Sequence, residues 1–378
     1  MTTPGSRPAL LACSSLVFYE PYWEVLRQLA TTYHLSVLAL GPDRVGVPTV
    51  YAPSGWIEAR PPGEGIDTIA LPLRDPSTPW LGFEPRALGR TLRRLSPAAV
   101  WLHEEPTSGA AQQLLAWLWW RSRRTRVGVA IVENIWRAPR RLSGLRQRLL
   151  VRRIDHFFGG STEAVRSFRA AFKAGSASHE VAFLPTCDHR SERSGAGPGF
   201  VLGFAGRICA EKGWRILIEA LRGLPEDVTL RLAGTGPEDA DLRAAIQSPD
   251  LAGRVTLLGV VSRRDLSSFY RSIDTLVVPS LTTPAWKEQL GAVLPEAMSA
   301  EVPVIGSDSG AIPEVIGPAG VVVPEGDPAR LREAIARLRA DPEERRRLAR
   351  EGRQRYEREF SIEAFARRVA AFCSPSAR

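Results

Sequence analysis

Two successive series of short apolar runs and longer stretches with helical periodicity make up most of this 378-residue chain. A polar segment rich in glycine and serine, residues 186–199, separates the first series from the second. Strand-like runs that alternate with helical patterns are typical of parallel sheets, because a parallel connection needs a crossover helix. We therefore predict an α/β fold with two doubly wound, Rossmann-like domains that face a central cleft. Ligands of such sheets bind beyond the carboxyl ends of the strands.

The first series predicts seven strands and five helices. The strands lie near residues 8–16, 34–40, 68–73, 98–103, 127–132, 155–160 and 180–184, and the helices near 21–32, 84–95, 107–121, 142–153 and 162–172. The second series predicts strands near 200–205, 228–233, 255–258, 275–278, 302–305 and 321–323, and helices near 211–224, 238–247, 263–271, 292–300, 328–339 and 343–359. A closing helix over 362–372 is expected to return to the first domain. The predicted domains are therefore 1–190 joined by 361–378, and 191–360.

The chain has 50 basic and 41 acidic residues, a formal net charge of +9, which suggests a polyanionic partner. Only three of the basic residues are lysines, Lys173, Lys212 and Lys287, so each lysine is more informative than an arginine run. A composition of 44% hydrophobic and 24% charged residues excludes a disordered chain. No apolar run reaches the ~20 residues of a membrane-spanning helix. Four widely spaced cysteines predict a reducing, cytoplasmic location and no metal site.

The segment after the first strand of the second series combines two cations with two glycines. Arg207 and Lys212 stand between Gly206 and Gly213, and a helix is predicted directly beyond them. An arginine fork, a lysine point charge and the backbone N–H groups of a helix start are donors that suit phosphate. The spacing of a Walker loop is absent. A phosphate site and a solvated turn with chance charges are the two interpretations, and the scarcity of lysine favours the first.

Two glutamates follow the fourth strand of the second series, with seven residues between them. Glu288 is expected in the loop, and Glu296 inside the helix that opens near Gly291. The backbone amides of Leu290, Gly291 and Ala292 are expected to point out of that helix start as an anion site. Carboxylates beside an anion site suit the hydroxyl groups of a sugar or a ribose better than they suit phosphate. The segment therefore predicts the binding of a phosphorylated sugar compound.

Five short motifs of the second half stand in a fixed order. They are Gly206-Arg207 with Glu211-Lys212-Gly213, the turn 233–237, Pro279-Ser280, the pair Glu288 and Glu296, and the segment 306–315. Each motif is weak alone, but together they resemble the donor domain of glycosyltransferase family 4, which belongs to group 1. Enzymes of this family have the GT-B fold and retain the anomeric configuration. The resemblance covers the second half well and the first half more loosely.

The resemblance implies an acceptor-side domain at 1–190, a donor-binding domain at 191–360, and a role for each matching residue. Arg207 and Lys212 would bind the donor diphosphate, and Glu288 would accept hydrogen bonds from hydroxyls of the transferred sugar. The backbone amides of Leu290, Gly291 and Ala292 would stabilise the charge of the leaving group, and Glu296 would hold the ribose. Two turns would border the base, one with Gly234 and Gly236 and one with Val260 and Val261. Gly206 would also belong to the donor site.

The resemblance also implies a mechanism that works by positioning and by stabilising the leaving group, with no metal and no other cofactor. The acceptor would attack from the face that the nucleotide leaves. The departing phosphate oxygen would then take the acceptor proton, so that no dedicated general base is needed.

The first half departs from the family pattern at its first predicted loop. Many members have two glycines there, whereas this chain has Cys-Ser-Ser-Leu at 13–16. A later stretch, His-Glu-Glu-Pro at 103–106, resembles one in which family members place a histidine near the reacting centre. That position is His103 or Glu104, depending on the alignment, and a buried strand-end histidine is the alternative for His103. Residues 133–134, at the next strand end, are candidates for acceptor contact.

Tryptophans and arginines concentrate in one part of the first half. Trp117, Trp119 and Trp120 precede a basic stretch, 137–153, in which leucines recur at helical spacing. A basic amphipathic helix with nearby aromatics is typical of contact with an anionic membrane. The alternatives are a buried helix with a solvated arginine face, and a nucleic-acid site, for which no recognition motif is present.

We therefore predict a metal-independent glycosyltransferase that moves a hexose-type sugar from a UDP-, GDP- or ADP-linked donor to a hydroxyl acceptor, which is a lipid or a glycan. It would be cytoplasmic, with peripheral contact to the inner face of a membrane, and would not bind nucleic acid. The alternative is a non-catalytic protein that binds nucleotide sugars or acts as a membrane scaffold. A phosphorylase with pyridoxal phosphate is disfavoured, because two of the three lysines already belong to the predicted donor site.

Overall fold

The structure is a computed structural model that describes residues 9–14, 20–39, 44–46, 56–58, 65–75, 81–137, 142–174, 177–190 and 199–374. The chain divides into two compact units. The N-unit comprises Met1–Pro185 and Ile362–Arg378, and the C-unit comprises Thr186–Ser361. Residues 15–16 of the predicted first loop and 138–141 of the predicted basic stretch lie outside the described residues.

The N-unit contains a parallel sheet, a small antiparallel pair and helices. The strands are β1 (Ala9–Ser14), β2 (His34–Ala39), β3 (Arg44–Gly46), β4 (Trp56–Glu58), β5 (Ile66–Ala70), β6 (Ala99–His103), β7 (Arg126–Ile131), β8 (His156–Gly159) and β9 (Ser178–Val181). The helices before the C-unit are α1 (Glu20–Ala30), α2 (Pro85–Leu95), α3 (Gly109–Arg121), α4 (Leu142–Val151) and α5 (Thr162–Phe172). The sheet order is β5-β2-β1-β6-β7-β8-β9, and all its pairs are parallel. The antiparallel pair β3–β4 was not predicted.

The C-unit contains a six-stranded parallel sheet in the order β12-β11-β10-β13-β14-β15. Its strands are β10 (Phe200–Ala205), β11 (Val228–Ala233), β12 (Val255–Gly259), β13 (Thr275–Val278), β14 (Val304–Ser307) and β15 (Val321–Val323). Its helices are α6 (Trp214–Arg222), α7 (Asp239–Ala245), α8 (Arg263–Arg271), α9 (Val293–Ser299), α10 (Ile312–Ile316), α11 (Pro328–Ala340) and α12 (Pro342–Arg355). The last helix, α13 (Ile362–Cys373), belongs to the N-unit.

Helix α2 shows how local sequence sets an element boundary. The Glu84 carboxylate accepts hydrogen bonds from the backbone N–H groups of Arg86 and Ala87, at 3.0 and 2.6 Å. Pro85 occupies the first helical position, where its missing N–H costs nothing. The apolar face of α2 packs with those of α3, α4 and α5 into one core on one side of the sheet. Helices α1 and α13 share a second core.

Two predicted helices of the C-unit are corrected by the structure. The predicted helix 211–224 is a 3-10 turn, Ala210–Lys212, followed by Gly213 at a φ of +67° and only then by α6. Within the predicted helix 343–359, the α-helical conformation of α12 stops at Arg355. The residues Tyr356–Phe360 that follow form a π-helical turn. In both cases the helical period continues past a backbone irregularity, so periodicity alone could not locate the break.

The first residues of the predicted linker pack inside the C-unit. The Thr186 N–H donates to the carbonyl of Phe360 at 3.1 Å, and the His189 N–H donates to Ser299 Oγ at 2.9 Å. Both Asp188 oxygens accept hydrogen bonds from Arg353, at 2.6 and 2.8 Å. Within the described part of the chain, no helix has the length and apolar character that crossing a bilayer requires.

Candidate active site

A cavity of about 250 Å³ lies at the carboxyl ends of β10 and β13 in the C-unit. This is the edge of a parallel sheet where ligands bind in doubly wound folds. Its wall brings together six of the residues that the sequence analysis singled out. They are Gly206, Arg207, Lys212, Glu288, Gly291 and Ala292.

A buried ion pair occupies one wall of this cavity. The ammonium group of Lys212 donates to Glu288 Oε2 at 2.6 Å, and the hydroxyl of Ser280 donates to the same oxygen at 2.8 Å. Glu288 is only 5% exposed. The Lys212 nitrogen also lies 4.9 Å from the centre of the Trp286 ring, within the range of a cation–π contact. A carboxylate this deep is stable only with partners of this kind.

Backbone contacts hold Glu288 in place from the loop between β14 and α10. Gly310 has a φ of +55°, and a Cβ added there would lie 2.2 Å from the Glu288 carbonyl oxygen. The N–H of Ala311 donates to that same oxygen at 2.9 Å. Only glycine permits both the positive φ and the close approach. The position of Glu288 is therefore set by residues that the glutamate spacing does not reveal.

The phosphate-binding candidate loop is held in a similar way. A Cβ added to Gly213 would lie 1.8 Å from the carbonyl oxygen of Pro279, and the Leu281 N–H donates to the Glu211 carbonyl at 2.8 Å. Lys212 and Ser280 are therefore carried by two loops that touch through their backbones. Arg207 is exposed and lines the cavity from the first of these loops.

Gly234 and Gly236 were predicted to border the base, and the structure places both against the loop after β10. A Cβ on Gly234 would lie 1.8 Å from the carbonyl oxygen of Gly206, and a Cβ on Gly236 would lie 2.2 Å from that of Ile208. The two glycines do not line the cavity wall. In the structure they allow the turn after β11 to pack against the loop that carries Arg207.

Glu296 lies on α9, as predicted, and is separate from the cavity wall. The buried hydroxyl of Tyr270 donates to Glu296 Oε2 at 2.8 Å. Burial raises the pKa of Glu296, against the Tyr270 hydrogen bond and the charge of Arg263, which both lower it. The Tyr270 hydrogen bond fixes the orientation of one Glu296 oxygen, and the ribose contact implied for this residue stays a prediction.

The remaining donor-side residues differ in exposure. Val260 and Val261 follow β12, and Val260 is exposed whereas Val261 is half-buried. Leu290 is buried and, unlike its two neighbours Gly291 and Ala292, is not part of the cavity wall. The roles implied for these residues stay predictions.

In the N-unit, His103 ends β6 and is buried among aromatic rings. Its ring centroid lies 5.2 Å from that of Tyr22 and 5.5 Å from that of Trp101. Burial lowers its pKa to about 4, so the ring is neutral at physiological pH. Among the described residues, neither ring nitrogen has a hydrogen-bond partner. The adjacent Glu104 is half-buried.

The sequence analysis missed Glu105. Its Oε1 accepts hydrogen bonds from the N–H groups of Val132 and Glu133, at 3.2 and 3.3 Å, which ties the end of β6 to the end of β7. Its Oε2 is buried and has no hydrogen-bond partner within the described residues. Burial raises the pKa of Glu105 to about 7. The sequence offers no signal that separates this glutamate from Glu104, because burial is decided by the fold.

Asn134, a candidate acceptor contact, is buried next to the start of α5. Its Oδ1 accepts a hydrogen bond from the hydroxyl of Ser161 at 2.6 Å, and that same hydroxyl oxygen caps α5 by accepting from the Ala164 N–H. These contacts support a structural role for Asn134.

Solved structures define the fold class. The chain aligns over 96% of its length with 98% of Anabaena HepE in complex with UDP, with a TM-score of 0.71 and 17% sequence identity. It aligns over 97% of its length with 98% of a glycosyltransferase from Rickettsia africae, with a TM-score of 0.73 and 13% identity. The fold is GT-B, with two parallel-sheet, Rossmann-like domains, and the predicted fold class is confirmed.

The sequence similarity to known proteins lies in the C-unit. Residues 189–355 match the family described as "Glycosyl transferases group 1". The 2-deoxystreptamine glucosyltransferase of Streptomyces kanamyceticus is 32% identical over 170 residues, 43% of this chain and 42% of that protein. The alpha-D-kanosaminyltransferase of the same organism is 34% identical over 163 residues, 42% of this chain and 41% of that protein. The match thus spans less than half the length of these curated relatives. Over residues 189–355 the C-unit is therefore similar to the domain that group 1 glycosyltransferases share.

Proposed function

We propose that this chain is a glycosyltransferase that moves a hexose-type sugar from a nucleotide-diphosphate sugar to a hydroxyl acceptor. The observation that carries the proposal is the cavity in which Arg207, Lys212 and the buried Glu288 meet at the carboxyl edge of a group 1 domain. Two cations suit a diphosphate, and a buried carboxylate with a fixed orientation suits sugar hydroxyls.

The ion pair between Lys212 and Glu288 must rearrange when the donor binds. In the structure the ammonium charge is already engaged by a carboxylate at 2.6 Å. A diphosphate that approaches Lys212 competes with Glu288 for that charge, while Ser280 keeps donating to the glutamate. Arg207 adds a second, exposed cation. The charge that develops on the leaving phosphate is then stabilised by both cations.

We propose that transfer retains the anomeric configuration and uses no metal. The bond from the sugar carbon to the acceptor oxygen would form on the face from which the bond to phosphate breaks. The acceptor proton would pass to the departing phosphate oxygen. The resemblance to family 4 and the presence of two cations in the cavity support this mechanism, because the cations provide the charge stabilisation that a metal otherwise supplies.

The donor nucleotide is UDP, GDP or ADP, and the acceptor is a lipid or a glycan. UDP is the ligand of the structurally similar HepE. Two matched relatives are named 2-deoxystreptamine glucosyltransferase and phosphatidyl-myo-inositol mannosyltransferase. We propose a cytoplasmic location, with peripheral contact to the inner face of a membrane.

Substitutions at Lys212 and Glu288 test this function. After a panel of nucleotide sugars has been screened for thermal stabilisation, Lys212→Ala and Glu288→Gln should each lower kcat/KM for the stabilising donor by about 100-fold or more, the usual scale for an electrostatic group at the reacting centre. The control is Lys173→Gln, an exposed lysine in the N-unit, which should leave kcat/KM unchanged. Unchanged turnover in both site variants would contradict the assigned roles.

The alternative is a non-catalytic protein that binds nucleotide sugars or acts as a membrane scaffold. It predicts donor binding by calorimetry with neither transfer nor donor hydrolysis in the presence of any acceptor. Product formation by the unmodified chain, and its loss in Glu288→Gln, would exclude it.

A further inference from the structure

A second cavity, of about 520 Å³, lies on the outer surface of the N-unit between α2 and α3. Four arginines and one tryptophan line it: Arg86, Arg90 and Arg93 from α2, and Trp117 and Arg121 from α3. The α2 arginines are four and three residues apart, so they share one face of that helix. All four arginines are exposed.

These arginines lack the acidic partners that many arginines of the C-unit have. Arg215 pairs with Asp241 at 2.6 Å, and Arg339 pairs with Asp227 at 2.7 Å. Within the described part of the chain, no acidic side chain forms an ion pair with any of the four cavity arginines. The nearby Glu84 instead uses its carboxylate to cap α2. A cavity lined by four arginines that form no ion pair within the described residues favours an anion.

Helix dipoles explain only part of this arrangement. Arg93 and Arg121 lie in the last turns of α2 and α3, where a cation is favourable. Arg86 lies in the first turn of α2, where a cation is unfavourable, and that turn contains no acidic residue. The Glu84 carboxylate at the N-cap interacts with the charge of Arg86 without forming an ion pair, which leaves the guanidinium group available to an anion.

Apolar side chains are exposed on the same helical layer. Trp120 at the end of α3 is 82% exposed, and Leu145 and Leu149 on α4 are 67% and 47% exposed. Helices α3 and α4 pack against each other, and both share their buried faces with α2. A soluble anion would not need exposed indole and leucine side chains beside its site. An anionic bilayer offers phosphate groups to the arginines and an acyl boundary to the apolar side chains.

We propose that α2, α3 and α4 form a membrane-docking surface in which the cavity of Arg86, Arg90, Arg93 and Arg121 holds the phosphate of an anionic lipid headgroup. Trp120, Leu145 and Leu149 enter the interface beside it. The surface differs from the basic stretch 137–153 that the sequence suggested, because its charges come mainly from α2. This docking surface rests on the peripheral membrane contact proposed above and names the residues that make it, but it does not depend on the proposed transfer reaction.

Vesicle sedimentation of the full chain tests the proposal. Vesicles of phosphatidylcholine alone are compared with vesicles that also contain phosphatidylglycerol. The unmodified chain should partition preferentially to the anionic vesicles. Arg90→Gln combined with Arg93→Gln should weaken this partitioning about 25-fold, since each basic residue near an anionic surface contributes about fivefold. Trp120→Ser should weaken it as well.

The matched control is Arg243→Gln combined with Arg264→Gln, two exposed arginines of the C-unit, which removes the same net charge. It should change partitioning by less than about twofold. An equal loss in both double variants would mean that net charge alone drives binding and would overturn the proposal. So would no preference of the unmodified chain for anionic vesicles, saturable binding of inorganic phosphate without vesicle binding, or tighter binding to a single-stranded oligonucleotide. Circular dichroism confirms that each variant is folded.

Discussion

Glu105 is a single residue whose chemistry depends on its surroundings. One oxygen of its carboxyl group accepts two backbone hydrogen bonds, and the other oxygen is buried. Burial raises its pKa from 4.5 to about 7, so the folded protein holds the proton more tightly than the unfolded chain does. The stability that Glu105 contributes is therefore present at low pH and is lost as the pH rises from about 4.5 to about 7.

Glu105→Gln removes this titration and keeps an oxygen that can accept the two N–H groups. The free energy of unfolding of the variant should match that of the unmodified chain near pH 4.5 and exceed it by about 3 kcal/mol above pH 7. Urea unfolding followed by circular dichroism at the two pH values measures the difference. Glu226→Gln, in an exposed turn, is the control. A difference that stays constant with pH would contradict the prediction.

His103 has the opposite pH dependence. Burial lowers its pKa from 6.5 to about 4, so its stabilising contribution rises with pH between these values. The sequence predicted its position at a strand end and left open whether it was a buried histidine. The structure shows that it is buried, and part of the reason is Phe365, whose ring centroid lies 6.3 Å away and which comes from the last helix. No local pattern contains that information.

At the scale of elements, the loop between β14 and α10 controls the position of Glu288. Gly310 of this loop meets both the carbonyl oxygen and the nitrogen of Glu288 at distances that exclude a Cβ. The motif that contains Gly310 was recognised in the sequence, but its contact with the loop that carries Glu288 was not predicted. The contact explains why a glycine stands at this position.

Gly310→Ala should therefore be more damaging than an ordinary substitution of a glycine with positive φ. Gly253 is a matched control, because its φ is +74° and a Cβ there would have nothing within 4 Å. Gly253→Ala should lower the free energy of unfolding by about 1 kcal/mol, the cost of the backbone conformation alone. Gly310→Ala should cost about 2–4 kcal/mol more and should also weaken donor binding. Urea unfolding and calorimetry measure the two effects, and equal losses in both variants would disprove the account.

Element boundaries were predictable where a few neighbouring residues decide them. Helix α8 begins and ends at the predicted residues, and α2 begins at its proline behind the Glu84 cap. The break at Gly213 was not predicted, because its cause is the Pro279 carbonyl on another loop. The pair β3–β4 and the short α10 were also missed, since neither is long enough to show a period.

At the scale of the whole molecule, the chain returns to its first unit at its end. The C-unit ends at Ser361, and α13 begins one residue later in the N-unit. Phe365 of α13 is buried in the second core of the N-unit, and the hydroxyl of Tyr33 donates to the Ala370 carbonyl at 2.8 Å. This return was expected from the sequence. Phe360, five positions before Phe365 in the chain, is buried in the C-unit.

Phe360→Ala and Phe365→Ala therefore form a matched pair. Both phenylalanines are buried, and each truncation should cost about 3–5 kcal/mol. Phe360→Ala should reduce amide hydrogen-exchange protection in the C-unit, whereas Phe365→Ala should reduce it in the N-unit. Exchange measured by mass spectrometry on proteolytic peptides separates the two results. Loss of protection in the same unit for both variants would contradict the division of the chain.

The sequence by itself determined the α/β class and most strands and helices. It also predicted Arg207, Lys212 and Glu288 as site residues, and the structure brings these three residues to one cavity. These features depend on local periodicity, on capping residues and on motif order, all of which lie within short stretches of chain. Only the tertiary structure decided that Lys212 pairs with Glu288, 76 residues away, and that Glu105 is buried. It also brought Arg121 to the arginines of α2. Ion pairing and pKa depend on burial, and burial is created by segments that are remote in the chain.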